Sequence, residues 1–334
     1  MAKRFTALLI AIFLTTTLLS PSTQAAGIKI AIAYEAGGKG DNGINDLASL
    51  GLERAIKKNN LSRLDVREQI TDGTLGDRIT RVRFLAKNKY QLIICVGAGY
   101  ADTVRRISVE FPNTQFAIID DQSVAMTNVS NLSFATEEGI YLAAAALALA
   151  SKSGKIGFIG DKSEVSTVNY AQVFSKGAVA ANSKIKVSSK LLDESVADEV
   201  KTQIASGVDQ IFSTWARSDE VISTIAASNG NSKKVLISGL LPDQYFLNFP
   251  IGKKNQYLVV SKRFDLAVEQ LISTEIAGKS MLDILDSKKG IYGHRYNLKD
   301  GGLLVKLVSG SVLPAKILTI SAGIKAGKVK NFKP

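Results

Sequence analysis

Hydrophobic runs alternate with helix-period segments along almost the whole chain, and one pattern occurs twice. Residues 91–107 (QLIICVGAGYADTVRRI) and 209–225 (DQIFSTWARSDEVISTI) both read as a strand, a short turn, a small residue followed by Asp, and an amphipathic helix. A further strand follows each, and then an Asp-Gln pair, Asp121-Gln122 and Asp243-Gln244. The two units lie about 118 positions apart. Such a repeat points to two lobes of like topology, the alternative being chance resemblance between two strand–helix units. Strands are expected at 28–34, 64–70, 92–97, 116–120, 156–160, 185–189, 210–214, 235–238 and 258–261. Most are continuous apolar runs, as suits strands covered on both faces. Helices are expected between them, at 46–58, 76–88, 101–110, 169–182, 197–206 and 218–228. The class is α/β, each lobe a parallel sheet flanked by helices. A length of 334 residues agrees with two lobes, since it exceeds what one core usually carries. Ligands of such sheets sit off the carboxyl ends of the strands, so two facing lobes share a cleft there.

The first 25 residues read as an export signal. Lys3 and Arg4 precede an apolar run over 5–19, and Thr23 and Ala25 place small residues at −3 and −1 of a cleavage site. That run is about 15 residues, short of the roughly 20 that span a bilayer. No Cys stands at the end of that run, so the mature chain is expected from about Ala26, periplasmic and without a lipid anchor. The apolar stretch 140–150 is also too short to span and reads as a buried helix.

The side-chain inventory excludes much chemistry. One Cys and one His rule out a disulfide framework and the usual Cys/His zinc sites. Cys95 lies in the apolar run LIICV and reads as an inert buried thiol; His294 lies in a polar turn and reads as a surface residue. There is no G-x-S-x-G elbow, P-loop or H-E-x-x-H, and an enzyme is not expected. The formal net charge is +12, of which Lys3 and Arg4 contribute two, but the lysines are scattered and no run of five occurs. The charge is read as a solvated surface, with no nucleic-acid partner.

Gly38 to Gly43 satisfy G-x-G-x-x-G after a strand, with Asp65 some 22 residues on. The polar segment 35–43 is long where a dinucleotide site needs a tight turn, and no cofactor is expected. Asn45 or Asp46 is a candidate cap for the helix that follows. Glu35, Asp41 and Asp120 are carboxylates at strand ends of one lobe, suited to N–H or O–H donors, or else turn and capping acids.

The segments GGKGDNGINDLASLGLERA, QFAIIDDQ, EEGIYLAAAALALASKSGKIGFIG, YLVVSKRFDLAV and SAGIKAGKVK, in that order, resemble the basic membrane protein family. Its members are solute-binding proteins of ABC importers, and well-understood ones bind purine nucleosides. The resemblance runs from about Ile28 to Lys330. It implies a two-lobed type I periplasmic binding protein with three hinge crossovers, divided as 26–136 plus about 263–292 and 137–262 plus about 293–334. The family's base-binding acids fall on Glu35, one methylene longer than the usual Asp, and on Asp120. Its aspartate–lysine–serine–phenylalanine–asparagine loop falls on Asp41 to Asn45, so the stacking Phe is replaced by Ile44. A second stacking aromatic falls near Trp215. The family's sugar-clamping Asp falls on Leu241, its hinge Lys is kept as Lys262, and Arg217 is expected in or near the cleft.

The resemblance implies a monomeric receptor that delivers a small ligand, a purine nucleoside or nucleobase-like compound, to an ABC permease of the inner membrane. Two alternatives stand beside it. Arg217 and Lys262 together suit an anionic solute, and an exported sensor signalling to a membrane receptor has the same sequence features.

Overall fold

The computed structural model describes residues 28–215, 217–232, 234–243, 253–329 and 332. The expected export signal, Ala216 and Gln244 lie outside the described residues.

The chain begins with β1 (Ile30–Tyr34), α1 (Ile44–Asn59), β2 (Val66–Ile70), α2 (Leu75–Lys87), β3 (Leu92–Val96), α3 (Ala101–Glu110), β4 (Gln115–Ile119) and β5 (Val129–Phe134). It continues as α4 (Thr136–Ala150), β6 (Lys155–Asp161), α5 (Val165–Ala181), β7 (Lys186–Leu192), α6 (Ala197–Ala205), β8 (Gln210–Ser213), α7 (Ser218–Asn229), β9 (Leu236–Leu241) and β10 (Gln256–Lys262). It ends with α8 (Phe264–Ile276), β11 (Asp283–Asp286), β12 (Ile291–Tyr296), β13 (Leu303–Leu307) and α9 (Ala315–Lys325).

Among the described residues these strands form two sheets. The first has the order β11-β12-β5-β4-β3-β1-β2 and is parallel except for β11. The second has the order β13-β10-β9-β8-β6-β7 and is parallel except for β13. β1 and β3 are buried at every position, as continuous apolar runs require of central strands covered on both faces. The expected strand 64–70 is shorter than its apolar start suggested. Arg63–Asp65 forms a 3-10 turn and Leu64 is 91% exposed, so the strand begins only at Val66. The apolar stretch 140–150 belongs to α4, which is buried along nearly its whole length between α5, β10 and α9.

The chain passes between the two sheets three times: from β5 to α4, from β10 to α8, and from β12 to β13. β12 pairs with β5 through Tyr296, and the third passage follows it. An aromatic residue stands at each passage, and the three rings stack. Phe134 lies 5.2 Å from Phe264 and 5.5 Å from Tyr296, centroid to centroid. All three side chains are buried, so the crossings are packed core rather than loose linker.

Candidate functional site

Between the carboxyl ends of the two sheets lies a cleft of about 830 Å³. Glu35, Asp41, Ile44, Asn45 and Asp120 line it from the first lobe, and Trp215, Leu241 and Lys262 from the second. Eight of the nine expected residues are therefore brought to one cavity. The ninth, Arg217, is not among its lining residues.

Glu35 emerges directly from β1. Its backbone N–H donates to Asn45 Oδ1 at 3.0 Å, and Asn45, itself buried, returns an Nδ2 bond to Glu35 O at 3.4 Å. The Asn45 amide thus fixes the end of β1 rather than capping α1. The Glu35 side chain turns to α2, where Arg78 Nη2 donates to Oε2 at 2.6 Å. Nothing in the local sequence marked Arg78, which lies 43 positions away on an amphipathic helix.

Asp41 serves the backbone. Its carboxylate accepts N–H bonds from Gly43 at 2.8 Å, Asn45 at 3.1 Å and Asp46 at 3.2 Å, so it caps α1 in place of Asn45 or Asp46. Asp46 closes the loop from the other side, accepting from the N–H groups of Gly40 and Asn42. A phosphate at this helix start would have to displace a carboxylate that already satisfies those donors, which removes the physical basis of the dinucleotide pattern at Gly38 to Gly43.

Asp120 follows β4 with φ +65°, the left-handed region, where Asp is tolerated better than most residues. Lys262 Nζ donates to both its oxygens, at 2.7 and 3.0 Å. Burial pulls the Lys262 ammonium down, but the Asp120 carboxylate, with Tyr170 and Glu164 further out, holds it above the ordinary lysine value.

On the second lobe, Trp215 follows β8 and its indole Nε1 donates to Glu220 Oε2 at 3.2 Å. Leu241 is 8% exposed and presents an apolar wall with Leu240 and Pro242. Arg217 points along the first turn of α7, with Nε and Nη2 on the two oxygens of Asp219 at 3.1 and 3.0 Å. A carboxylate two residues away captures the guanidinium, and its side chain is 54% exposed. Glu164 and Asp243 also line the cleft, adding carboxylates that the sequence reading did not single out.

The remaining singled-out groups lie elsewhere. Cys95 is buried in β3, where burial pushes its thiol far up. His294 bridges Asp283 at 2.8 Å and Asp300 at 3.4 Å near the third passage. Among the described residues no group of His, Cys, Asp and Glu is arranged to hold a metal ion. Among them, too, no helix is long and apolar enough to cross a membrane.

Residues 28–281 match the profile of the Bmp family, ABC transporter substrate-binding proteins of the PnrA-like type. The chain belongs to this family. The Bmp chain is 27% identical over 299 residues to the ABC transporter nucleoside-binding protein BmpA of Lactococcus lactis subsp. cremoris, an alignment covering 83% of this chain and 80% of that one. It is 26% identical over 263 residues to a CD4+ T-cell-stimulating antigen of Listeria monocytogenes, covering 75% and 74%. Its fold is similar to that of an ABC transporter solute-binding protein from Conexibacter woesei. The TM-score is 0.71 at 16% identity, covering 91% of this chain and 100% of that one. The Bmp protein is thus a two-lobed type I periplasmic binding protein, and its family consists of substrate-binding components rather than enzymes.

Proposed function

We propose that this Bmp protein is an exported, monomeric receptor that closes its lobes on a purine nucleoside or nucleobase-like compound and presents it to an ABC permease. The observation that carries the reading is the make-up of the cleft: hydrogen-bonding carboxylates of Glu35 and Asp120 at the base of one lobe, and Trp215 facing from the other. A planar heterocycle with N–H donors suits that pairing, since carboxylates accept from its edge while an aromatic ring covers its face. The relationship to BmpA of L. lactis, named for nucleoside binding, supports the same class. The moving units are the described residues of 28–135 with 263–296, and those of 136–262 with 303–329, turning about the three passages.

The pairing of the cleft's cations favours a neutral ligand over an anionic solute. Arg217 is occupied by Asp219, Lys262 by Asp120, and the further cleft residues Glu164 and Asp243 are acidic.

The test is thermal unfolding of protein stripped of carried-over ligand by unfolding and refolding, against nucleosides, bases, amino acids and sugars. A ligand at about 100 times its Kd adds roughly 2.7 kcal/mol, a shift of several degrees. A shift with inosine, guanosine or their bases supports the reading. A shift only with sugars or amino acids overturns it. N-terminal sequencing of the exported protein tests cleavage after Ala25.

A further inference from the structure

Three features converge on one side chain outside the cleft wall. Arg78, on the first turn of α2, is buried deeply enough that its Nε has no partner. Among the described residues its paired carboxylate is Glu35, at 2.6 Å, with both side chains only 16% exposed. The guanidinium carbon lies 5.4 Å from the centre of the Tyr100 ring. That ring is locked in turn, because the buried Tyr100 hydroxyl donates to the carbonyl of Tyr34 at 2.8 Å, one residue before Glu35. The turn after β3 leaves a bare recess for the pair: a methyl group on Gly99 would collide with Glu35 Oε1 and Arg78 Nη2.

We infer that Arg78 is the positioning residue of the ligand site, orienting Glu35 and cancelling its charge so that the cleft selects a neutral hydrogen-bond donor over a cation. The inference rests on the proposed ligand class and refines it. An unpaired carboxylate at the base of a cleft attracts any cation, an amine as readily as a heterocyclic N–H. Arg78 changes that balance. It occupies Oε2 and leaves Oε1 as an acceptor without net negative charge around it. Lys262, which donates to both oxygens of Asp120, likewise supplies it with a counter-ion, so both carboxylates at the base of the first lobe are charge-paired. A cationic ligand would then add positive charge beside two ammonium or guanidinium groups. A neutral donor takes the acceptor oxygens at no such cost.

The experiment compares wild type, E35Q, R78M, R78K, G99A and the E35Q/R78M double variant. Affinity is measured for inosine, neutral with an N–H on its ring edge, and for 1-methyladenosine, cationic at neutral pH. R78M is expected to lose about tenfold or more in inosine affinity, the scale of one hydrogen bond to a charged group. R78K should recover part of that loss, and G99A should reproduce it by displacing the pair. The double variant should bind inosine no more weakly than E35Q alone, since Arg78 acts through Glu35. The ratio of 1-methyladenosine to inosine affinity should rise in R78M. Unchanged inosine affinity in R78M, or losses that multiply in the double variant, would overturn the inference. If wild type takes no nucleoside, the proposed ligand class fails. The pair is then read in the unliganded protein, where the melting-temperature loss of the double variant should be smaller than the two single losses combined. Additive losses there would overturn the role of Arg78.

Discussion

Lys262 Nζ donates to both carboxylate oxygens of Asp120, at 2.7 and 3.0 Å, and so ties the end of β10 to the end of β4 across the two sheets. The contact lies one residue before the second passage between the lobes. It therefore belongs at once to the cleft and to the hinge.

Removing the cation should cost stability as well as affinity. In K262M, Asp120 keeps a partly buried charge without its partner, at a cost of about 1–2 kcal/mol after allowance for its partial exposure. A fall of a few degrees in Tm is expected by calorimetry. The pH dependence has a definite sign. Because Lys262 is held above the ordinary lysine value, its contribution is complete below about pH 10.4 and is lost as the pH rises through the elevated value. Wild type should lose stability in that alkaline range more steeply than K262M.

The aromatic stack at the passages should govern more than stability. Phe134 is buried against Phe264 and Tyr296, and truncating it in F134A should cost about 3–5 kcal/mol through lost burial and the cavity left behind. Small-angle scattering of the milder F134L should give a broader distribution of lobe separations than wild type. An identical scattering curve would show that the stack is only core.

Acid should loosen α2 before the rest of the first lobe. Asp77 is held at about 2 by the bond from Arg81, then by the Asp72 N–H and the Thr71 hydroxyl. Its contribution is present above the ordinary Asp value of about 3.9 and is lost as the pH falls through about 2. Hydrogen exchange in α2 should accelerate over that range in wild type, and should already be fast at neutral pH in D77N.

Trp215 is the only tryptophan of the chain, so its emission reports on the cleft without labelling. Inosine should change that emission saturably. Loss of the stacking face in W215A should weaken binding by roughly 1–3 kcal/mol, measured by calorimetry, with the circular dichroism spectrum unchanged.

The sugar end can be tested by restoring a carboxylate. L241D places an acceptor where the apolar wall stands, and it should raise the preference for inosine over hypoxanthine by about tenfold. The same change buries a charge at an 8% exposed position and should lower Tm. A preference that stays unchanged would mean that the ribose does not reach this wall.

The fold class was readable in the chain because it depends on periodicity and repetition. Apolar runs such as 92–97 and amphipathic stretches such as 101–110 report burial directly, and the doubled strand–turn–helix unit reports two lobes. Strand ends fall at the cleft by topology, which made Glu35 and Asp120 locatable from sequence, and the family resemblance added Trp215 and Lys262. What those side chains do there was not readable. Asp41 is consumed by three backbone N–H groups and Arg217 by the neighbouring Asp219, while Glu35 is paired through one oxygen with an arginine 43 positions away. Hydrogen bonds and ion pairs are set by distances of about 3 Å, and such distances between remote segments exist only once the sheets have assembled. Sequence alone thus pointed to the strand-end residues that border the cleft, but it included Arg217 and passed over Glu164 and Asp243; the tertiary structure decided which side chains line the cleft and which of their charges remain open to a ligand.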